Sequence, residues 1–375
     1  MTIVIAAGGT GGHLYPAVAL ARAFQQKNSA TTIVFVGTAR GLESKVLAHE
    51  GFELLLISAR PVMGKTVIKA AQGLLSLPVS LWQCLKILKA RRVDLVIGVG
   101  GYTSPMMVLA AALTGTARVI LEPNAYPGMA NKAVGPFAQR VFLSYESAAL
   151  SFDRRKIRVV GTPVRKEFVE QSSQEGIATP VPGQYRLLIF GGSQGARAIN
   201  SAAIEGLPDL MKRHPQLLVI HQTGDADYGR VTDAYRRAGI SAQVTPFLYD
   251  MPSTLRSADL VVARAGAMTV AELAACGKPA ILIPLPQAIY DHQTRNAKVM
   301  EAAGAAVVLS QAELTGARLI DAIATILDDP ERLQAMSDRS RSMRRIDAAD
   351  AIVRECYALI GDHHDDHQSI GAAGL

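Results

Sequence analysis

Six consecutive residues, Gly8-Gly9-Thr10-Gly11-Gly12-His13, put an imidazole at the end of a backbone almost bare of side chains. An apolar run, Ile3–Ala7, precedes them and a helical pattern follows, so they read as a strand, a glycine loop and a helix N-terminus. In that arrangement backbone N–H groups point outward, the helix dipole favours negative charge, and missing side chains allow an anion to approach closely. The same arrangement recurs at Gly98–Gly101 and at Gly191-Gly192-Ser193-Gln194-Gly195. A fourth loop, Arg264-Ala265-Gly266-Ala267-Met268-Thr269, also lies between a strand and a helix. One such loop is weak evidence, because tight turns also use glycine. Loops of this kind in both halves of the chain point to a diphosphate held in a cleft.

Three side chains sharpen the chemistry. His13 ends the first loop, where it is either a general base at a reaction centre or a helix cap. Glu272 lies on the helix opened by the fourth loop; its carboxylate can accept two hydrogen bonds from a ribose diol, or it is a solvated helix acid. Arg165, after Gly161-Thr162-Pro163-Val164, is either a bidentate phosphate ligand at the domain junction or a surface charge. Other fingerprints fail. Leu14 stands where the dinucleotide motif needs its third glycine, which disfavours a dehydrogenase, and no Gly-Lys-Ser/Thr follows any loop, which excludes a P-loop NTPase. Asp225-Ala226-Asp227 matches the metal-binding Asp-x-Asp of some glycosyltransferases, but so short a pattern often arises by chance and it is rejected as a metal site.

Positioning these loops takes strands and helices in alternation. Ile3–Ala6, Ile33–Val36, Leu54–Ile57, Asp94–Ile97, Arg118–Leu121 and Val141–Leu143 read as buried strands of a parallel sheet. Ala17, Leu20, Ala21 and Phe24 form the apolar stripe of an intervening helix, with Pro16 in its first turn. A polar break from Gln171 to Gln184 follows. The pattern then restarts with Arg186–Phe190, Leu217–His221, Ala258–Ala263, Ala280–Ile283 and Ala306–Leu309. The expected architecture is α/β, with two Rossmann-like doubly wound parallel-sheet domains and ligands at the carboxyl ends of the strands. The tail from Asp362 is expected to be disordered, and its Asp362-His363-His364-Asp365-Asp366-His367 run to be solvated.

Bulk properties agree. At 375 residues, with 49% hydrophobic and 19% charged residues, the chain has room for two full cores. Cys84, Cys276 and Cys356 are odd in number and form no Cys-x-x-Cys pair, which fits a reduced compartment and no zinc framework. The run Ile3–Ala7 stops too soon for a signal peptide. Leu95 to Ala117 carries no charge and is long enough to span a bilayer, but the glycines, Ser104 and Pro105 within it favour a buried strand, a turn and a buried helix.

The net charge of +7 is unevenly placed: between Arg60 and Arg92 there are seven basic residues and no acid. Ile68, Leu74, Leu75, Leu77, Val79, Leu81 and Trp82 are interleaved with them. Two readings stand open, an anionic membrane surface or an amphipathic helix with a solvated basic face. A nucleic-acid module would need stacking aromatics along its basic face, and aromatics make up only 5% of the chain.

In one order the chain carries Gly8-Gly9-Thr10-Gly11-Gly12-His13 with Pro16-Ala17, then Gly100-Gly101-Tyr102, Gly191-Gly192-Ser193-Gln194-Gly195-Ala196, Gly266-Ala267-Met268-Thr269-Val270-Ala271-Glu272, and Gln293 with Asn296-Ala297. From about Ile3 to Tyr357 this set resembles the MurG family, the bacterial peptidoglycan N-acetylglucosaminyltransferases. The resemblance implies a GT-B fold, two Rossmann-like domains facing across a cleft. Its expected boundaries are 1–163 for the acceptor- and membrane-facing domain, joined by a last helix at about 344–360, 164–343 for the UDP-GlcNAc domain, and a tail at 361–375. It implies metal-independent transfer of N-acetylglucosamine from UDP-GlcNAc to the C4 hydroxyl of the undecaprenyl-diphosphate-linked muramyl pentapeptide, lipid I. The product is lipid II, formed with inversion, at the cytoplasmic face of the inner membrane and with no cofactor.

Carried over residue by residue, Ser193 and Arg165 would lie near the diphosphate, Leu248 and Met268 near the uracil, and Glu272 on the ribose. Thr269 would add to phosphate binding within the stretch Ala267, Met268, Thr269, Val270, Ala271 and Glu272. Gln293 would contact the donor sugar, while Thr10, Gly11, Gly12 and Asn124 would close the site from the first domain. His13 is the candidate base. Gly9, Gly100, Gly101 and Tyr102 are candidates to receive the acceptor's diphosphate. The resemblance also decides the basic run in favour of membrane contact through Ile68, Leu75, Trp82, Lys65, Lys69, Lys86 and Lys89. Departures from the family pattern are Pro123 before Asn124, Thr162 before Pro163, and Ala265 in the fourth loop. The competing enzyme of the same fold is a UDP-GlcNAc 2-epimerase, which predicts no such patch and a free sugar product.

Overall fold

A computed structural model of the chain describes residues 1–8, 11–38, 43–59, 67–169, 184–286 and 291–372, with side chains at 45, 67–75 and 362–372 outside the description. The chain divides into two compact units. Unit 1 comprises Met1–Arg165 with Ile346–Leu375, and unit 2 comprises Lys166–Arg345.

Unit 1 holds seven parallel strands: β1 Thr2–Ala7, β2 Thr32–Gly37, β3 Glu53–Leu56, β4 Leu95–Gly100, β5 Ala117–Glu122, β6 Arg140–Leu143 and β7 Ile157–Val159. Their order is β3-β2-β1-β4-β5-β6-β7, and every pairing is parallel. Between them run α1 Gly11–Lys27, α2 Glu43–Glu50, α3 Val67–Arg91, α4 Ser104–Thr114 and α5 Met129–Val134. Strand period explains the layering. On β1, Ile3, Ile5 and Ala7 enter one core with α1, while Val4 and Ala6 enter a second core with Cys84 of α3 and Met107 of α4. A sheet buried on both faces needs apolar residues at consecutive positions, which is how these strands read.

Unit 2 repeats the plan with β8 Arg186–Phe190, β9 Leu218–Gln222, β10 Ala242–Thr245, β11 Leu260–Ala263, β12 Ala280–Leu282 and β13 Ala306–Val308. The order is β10-β9-β8-β11-β12-β13, again all parallel. Its helices are α6 Lys166–Val169, α7 Arg197–Arg213, α8 Tyr228–Arg237, α9 Met251–Ser257, α10 Ala267–Cys276, α11 His292–Ala302, α12 Gly316–Leu327 and α13 Pro330–Ser342. The last helix, α14 Ala348–Ala372, returns to unit 1. There Ile352, Val353, Cys356 and Leu359 join the core of α1, and Glu355 pairs with Arg140 and Arg158. Its backbone continues as helix past the expected end of order near residue 361.

Two expectations are corrected. Pro16 lies in the second turn of α1 rather than the first, so the Gly12 carbonyl has no helical N–H to accept. Gly98 belongs to β4, not to the loop after it. A Cβ there would stand 2.4 Å from Ser104 Oγ and 2.8 Å from Val108, so this glycine lets α4 close on the sheet. The uncharged run resolves into β4 and α4, and no helix among the described residues is long and apolar enough to cross a membrane.

Candidate active site

In each sheet the chain reverses direction of winding beside the first strand, between β1 and β4 in unit 1 and between β8 and β11 in unit 2. Loops at the carboxyl ends of strands flanking such a switch point splay apart and leave a crevice. The four loops that the sequence singles out all follow these four strands.

In unit 1 the loops after β1 and β4 touch through their backbones. Gly101 has φ +77°, and a Cβ on it would lie 2.2 Å from the Gly8 carbonyl oxygen. Gly100 has φ +129° and packs its Cα against the His13 ring; a Cβ would come within 2.8 Å of Nε2 and Cδ2. The His13 imidazole thus packs on Gly100 and hydrogen-bonds the Gly8 backbone. Burial pushes its pKa below the ordinary histidine value, and the bond to Gly8 opposes this more weakly. A neutral ring whose one N–H meets a carbonyl keeps its lone pair on the other nitrogen, the form that a general base requires. Beside Gly8 lie the Glu43 carboxylate and Thr103, whose hydroxyl donates to the Val36 carbonyl at 3.3 Å. Tyr102 is exposed. Gly9 and Thr10 lie outside the described residues.

Gly11 and Gly12 open α1, and the Tyr15 ring lies against Gly11. Over that ring, 5.6 Å from its centroid, stands the Arg165 guanidinium. Arg165, assigned to the second domain by sequence, is thus the last residue of unit 1 and packs on α1. Thr162, one of the departures from the family pattern, is buried and shares a 2.6 Å hydrogen bond with Ser144. Asn124 follows β5 and is held by a residue to which the sequence reading gives no role. The buried Glu122 carboxylate accepts from Asn124 N and Nδ2 and from Asn131 Nδ2, each at 3.0 Å, and from Gly128 N at 2.9 Å. Burial raises the Glu122 pKa, and those four donors oppose the rise.

In unit 2 the loop Gly191–Gly195 packs on Thr223-Gly224. A Cβ on Gly195 would fall 1.8 Å from the Thr223 carbonyl, and one on Gly224 2.1 Å from the Gln194 carbonyl. Beneath them Asn200 donates to the Thr223 carbonyl and to Asp227, and its Oδ1 accepts from His221 Nε2 at 3.0 Å. The ring's other nitrogen meets the Tyr235 hydroxyl, and burial drives its pKa down to about 3, so it stays neutral. Asp227, from the Asp-x-Asp pattern, is gripped by Arg230 through both oxygens, which makes it a brace for this loop. Ser193 stands exposed on the loop, and α7 begins two residues after Gly195 with no side-chain cap on its first turn.

The fourth loop ends β11 and opens α10, again without a side-chain cap. Ala267 and Val270 face the core, so any ligand contact they make is through the backbone; Met268 is also buried. Thr269 and Glu272 are three apart on one helix face, half-exposed like Ala271 between them. Leu248 is half-buried, between exposed Phe247 and Tyr249. Gln293, on α11, accepts the Leu285 backbone N–H at 3.0 Å. Arg264 is buried and bonds three acceptors, and Asn296 donates to the Ala265 carbonyl. The signal for Arg264 was present in the sequence: it is a charge directly after a wholly apolar strand.

Of the residues expected at a membrane, Trp82 is 62% exposed with Lys86 5.5 Å from its ring centroid, and Lys89 is exposed on the same helix. Val79 is exposed one turn before Trp82, while Ser80, Cys84 and Leu88 form the buried face of α3. Lys65 lies outside the described residues, as do the side chains of Ile68, Lys69 and Leu75.

Comparison with known proteins accounts for this double arrangement. The glycosyltransferase family 28 N-terminal domain matches residues 3–143, and the family 28 C-terminal domain matches residues 186–352. A UDP-N-acetylglucosamine–N-acetylmuramyl-(pentapeptide) pyrophosphoryl-undecaprenol N-acetylglucosamine transferase of Syntrophus aciditrophicus is 44% identical over 358 residues, 96% of this chain and 98% of that one. The crystal structure of Acinetobacter baumannii MurG superposes with a TM-score of 0.75 at 29% identity, covering 95% of this chain and 99% of that one, which establishes the GT-B fold. The UDP-GlcNAc 2-epimerase of Neisseria meningitidis bound to UDP-GlcNAc has a TM-score of 0.65 at 14% identity over 96% of this chain and all of that one, a likeness of fold alone. The chain belongs to glycosyltransferase family 28, among its UDP-N-acetylglucosamine–N-acetylmuramyl-(pentapeptide) pyrophosphoryl-undecaprenol N-acetylglucosamine transferases.

Proposed function

We propose that this protein is an inverting glycosyltransferase that moves N-acetylglucosamine from UDP-GlcNAc to the C4 hydroxyl of the N-acetylmuramyl residue of lipid I, giving lipid II for peptidoglycan synthesis. The observation that carries this reading is the 44% identity, across both domains, to a transferase named for that donor and acceptor.

In the proposed mechanism unit 2 binds the donor. Glu272 accepts from the ribose diol, Leu248 and Met268 adjoin the uracil, and the diphosphate takes N–H groups at the starts of α7 and α10 together with Ser193 and Thr269. Gln293 contacts the sugar. Unit 1 serves the acceptor, with backbone N–H groups around Gly8–Gly12 and Gly100–Gly101 offered to its diphosphate and Asn124 held out by Glu122. His13 takes the proton from the C4 hydroxyl as that oxygen attacks the anomeric carbon. The bond from that carbon to the phosphate oxygen breaks, its electron pair leaves with UDP, and attack from the opposite face inverts the centre to a β1→4 bond. Amide dipoles and the Arg165 guanidinium stabilise the departing charge, which develops only as the bond breaks. What supports His13 as the base is its fixed, neutral, carbonyl-anchored ring.

The same reading assigns the exposed face of α3 to the cytoplasmic leaflet that holds the lipid-linked acceptor. Trp82 and Val79 enter the interface, and Lys86 and Lys89 meet anionic headgroups. UDP release with and without a lipid I analogue tests the assignment. Acceptor-dependent release supports a transferase, whereas release of UDP and a free sugar without acceptor would favour an epimerase.

A further inference from the structure

Arg264 places a cation directly after a strand that is apolar and buried throughout, and its own exposure is 8%. A buried guanidinium is tolerated only where its N–H groups are met. Here Nη1 donates to the carbonyls of Ile283 at 3.0 Å and Pro284 at 3.1 Å, and Nη2 donates to Gln311 Oε1 at 2.6 Å. The acceptors come from two separate segments, the end of β12 and the single 3-10 turn Gln311–Glu313 that follows β13. The next residue after Pro284 is Leu285, whose N–H is held by Gln293 Oε1. With its oxygen so engaged, the Gln293 amide has its NH2 to offer a ligand, a donor that suits a sugar hydroxyl or acetamido oxygen. These contacts form one chain: Gln311 to Arg264, Arg264 to Pro284, one peptide on to Leu285, and Leu285 to Gln293.

We propose that Arg264 and Gln311 are positioning residues for the donor sugar, fixing the Pro284–Leu285 peptide and through it the Gln293 amide. This rests on the reading that Gln293 contacts that sugar. Gln311 belongs to none of the motifs above, yet it is the residue that holds the guanidinium's second arm. A hydrogen-bonded relay of this kind holds a binding group in one place by locking its supports. Its loss therefore weakens the hold on the sugar and leaves the nucleotide's own contacts intact.

The test is calorimetric titration of the full chain with UDP and with UDP-GlcNAc, in Gln311→Leu, Gln311→Glu and Gln293→Ala variants. Gln311→Leu and Gln293→Ala should each weaken UDP-GlcNAc by about five- to tenfold while UDP stays within about twofold, the size expected of one hydrogen bond. Gln311→Glu keeps an acceptor for Arg264 and should retain the native affinity for both ligands. The double variant should be little weaker than the stronger single one, because both act on one contact. Equal weakening of UDP and UDP-GlcNAc by Gln311→Leu would show general loosening and overturn the relay. Selective loss in Gln293→Ala alone would overturn the relay while leaving the sugar reading intact. Unchanged UDP-GlcNAc affinity in Gln293→Ala would overturn the sugar reading and the relay together. If Gln311→Leu does not fold, Gln311→Asn, one methylene too short to reach Arg264, carries the same expectation.

Discussion

His13 shows how a residue becomes reactive through its surroundings. It lies near the start of α1, and its half-buried ring packs against Gly100. Desolvation lowers its pKa and outweighs the opposing hydrogen bond to Gly8, so the base form is the populated form over a wider range. The sign follows: protonation destroys the base, and a pKa below 6.5 moves the acid limb of the rate profile below the usual imidazole range. The rate of transfer should therefore stay level from about pH 8 down past pH 6.5 before it falls. In His13→Ala, kcat should drop by about 10²–10⁴-fold with UDP-GlcNAc affinity retained and that acid limb lost. Steady-state kinetics across pH decide this, and turnover within a few-fold of native would remove His13 as the base. The residue type and its place beside the glycine loop were legible in the sequence. Its anchoring was not, because Gly100 lies 87 positions further along the chain and only the sheet order brings the two together. Glu122 was hidden for a related reason: its four donors come from a loop whose path is set by the carboxylate itself.

Elements were read well where burial was complete, and the two strands that were missed both lie at sheet edges. The central strands are continuous apolar runs. The strands with no sequence counterpart are β7, Ile157-Arg158-Val159, and β10, Ala242-Gln243-Val244-Thr245, each at the end of its sheet. An edge strand has one neighbour and one wetter face, so its sequence carries a shorter, more polar signal. Glycine was easier to see than to interpret. Gly98 fits helix against strand, Gly101 and Gly195 let two loops meet backbone to backbone, and Gly239 answers only a local φ of +68°. The last two kinds differ in what alanine should do. Gly239→Ala has open space and should cost about 1 kcal/mol of backbone strain. Gly224→Ala, at φ +77° and with its Cβ 2.1 Å from the Gln194 carbonyl, must displace the Gly191–Gly195 loop as well. Its melting temperature should fall further than that of Gly239→Ala, and its affinity for UDP should fall where that of Gly239→Ala does not. Paired melting curves and UDP titrations make the comparison, and equal effects at the two positions would contradict the role given to the loop contact.

At the scale of the whole molecule, one plan is used twice. Both units place paired loops at a switch point, yet the polar groups differ. Unit 1 presents a fixed imidazole and an organised asparagine, whereas unit 2 presents exposed Ser193 and the Thr269–Glu272 face. That asymmetry fits a proton acceptor in one unit and a nucleotide site in the other. The basic run in the sequence left two readings open, and periodicity could not choose between them. Exposure adds that Val79 and Trp82 share an outer face of α3 with Lys86. Replacing Val79 and Trp82 with alanine should weaken partition onto vesicles containing anionic lipid by about tenfold or more, given the apolar area removed. Transfer to a short-chain, water-soluble acceptor should be unchanged. Native vesicle binding in the double variant would argue against this face.

The most direct measurement of the central claim follows radiolabelled N-acetylglucosamine from UDP-GlcNAc into a lipid I analogue. The account predicts one label per acceptor, in a β1→4 linkage, with one UDP released for each transfer. Correctly folded protein that binds UDP-GlcNAc but places no label on the acceptor would contradict it.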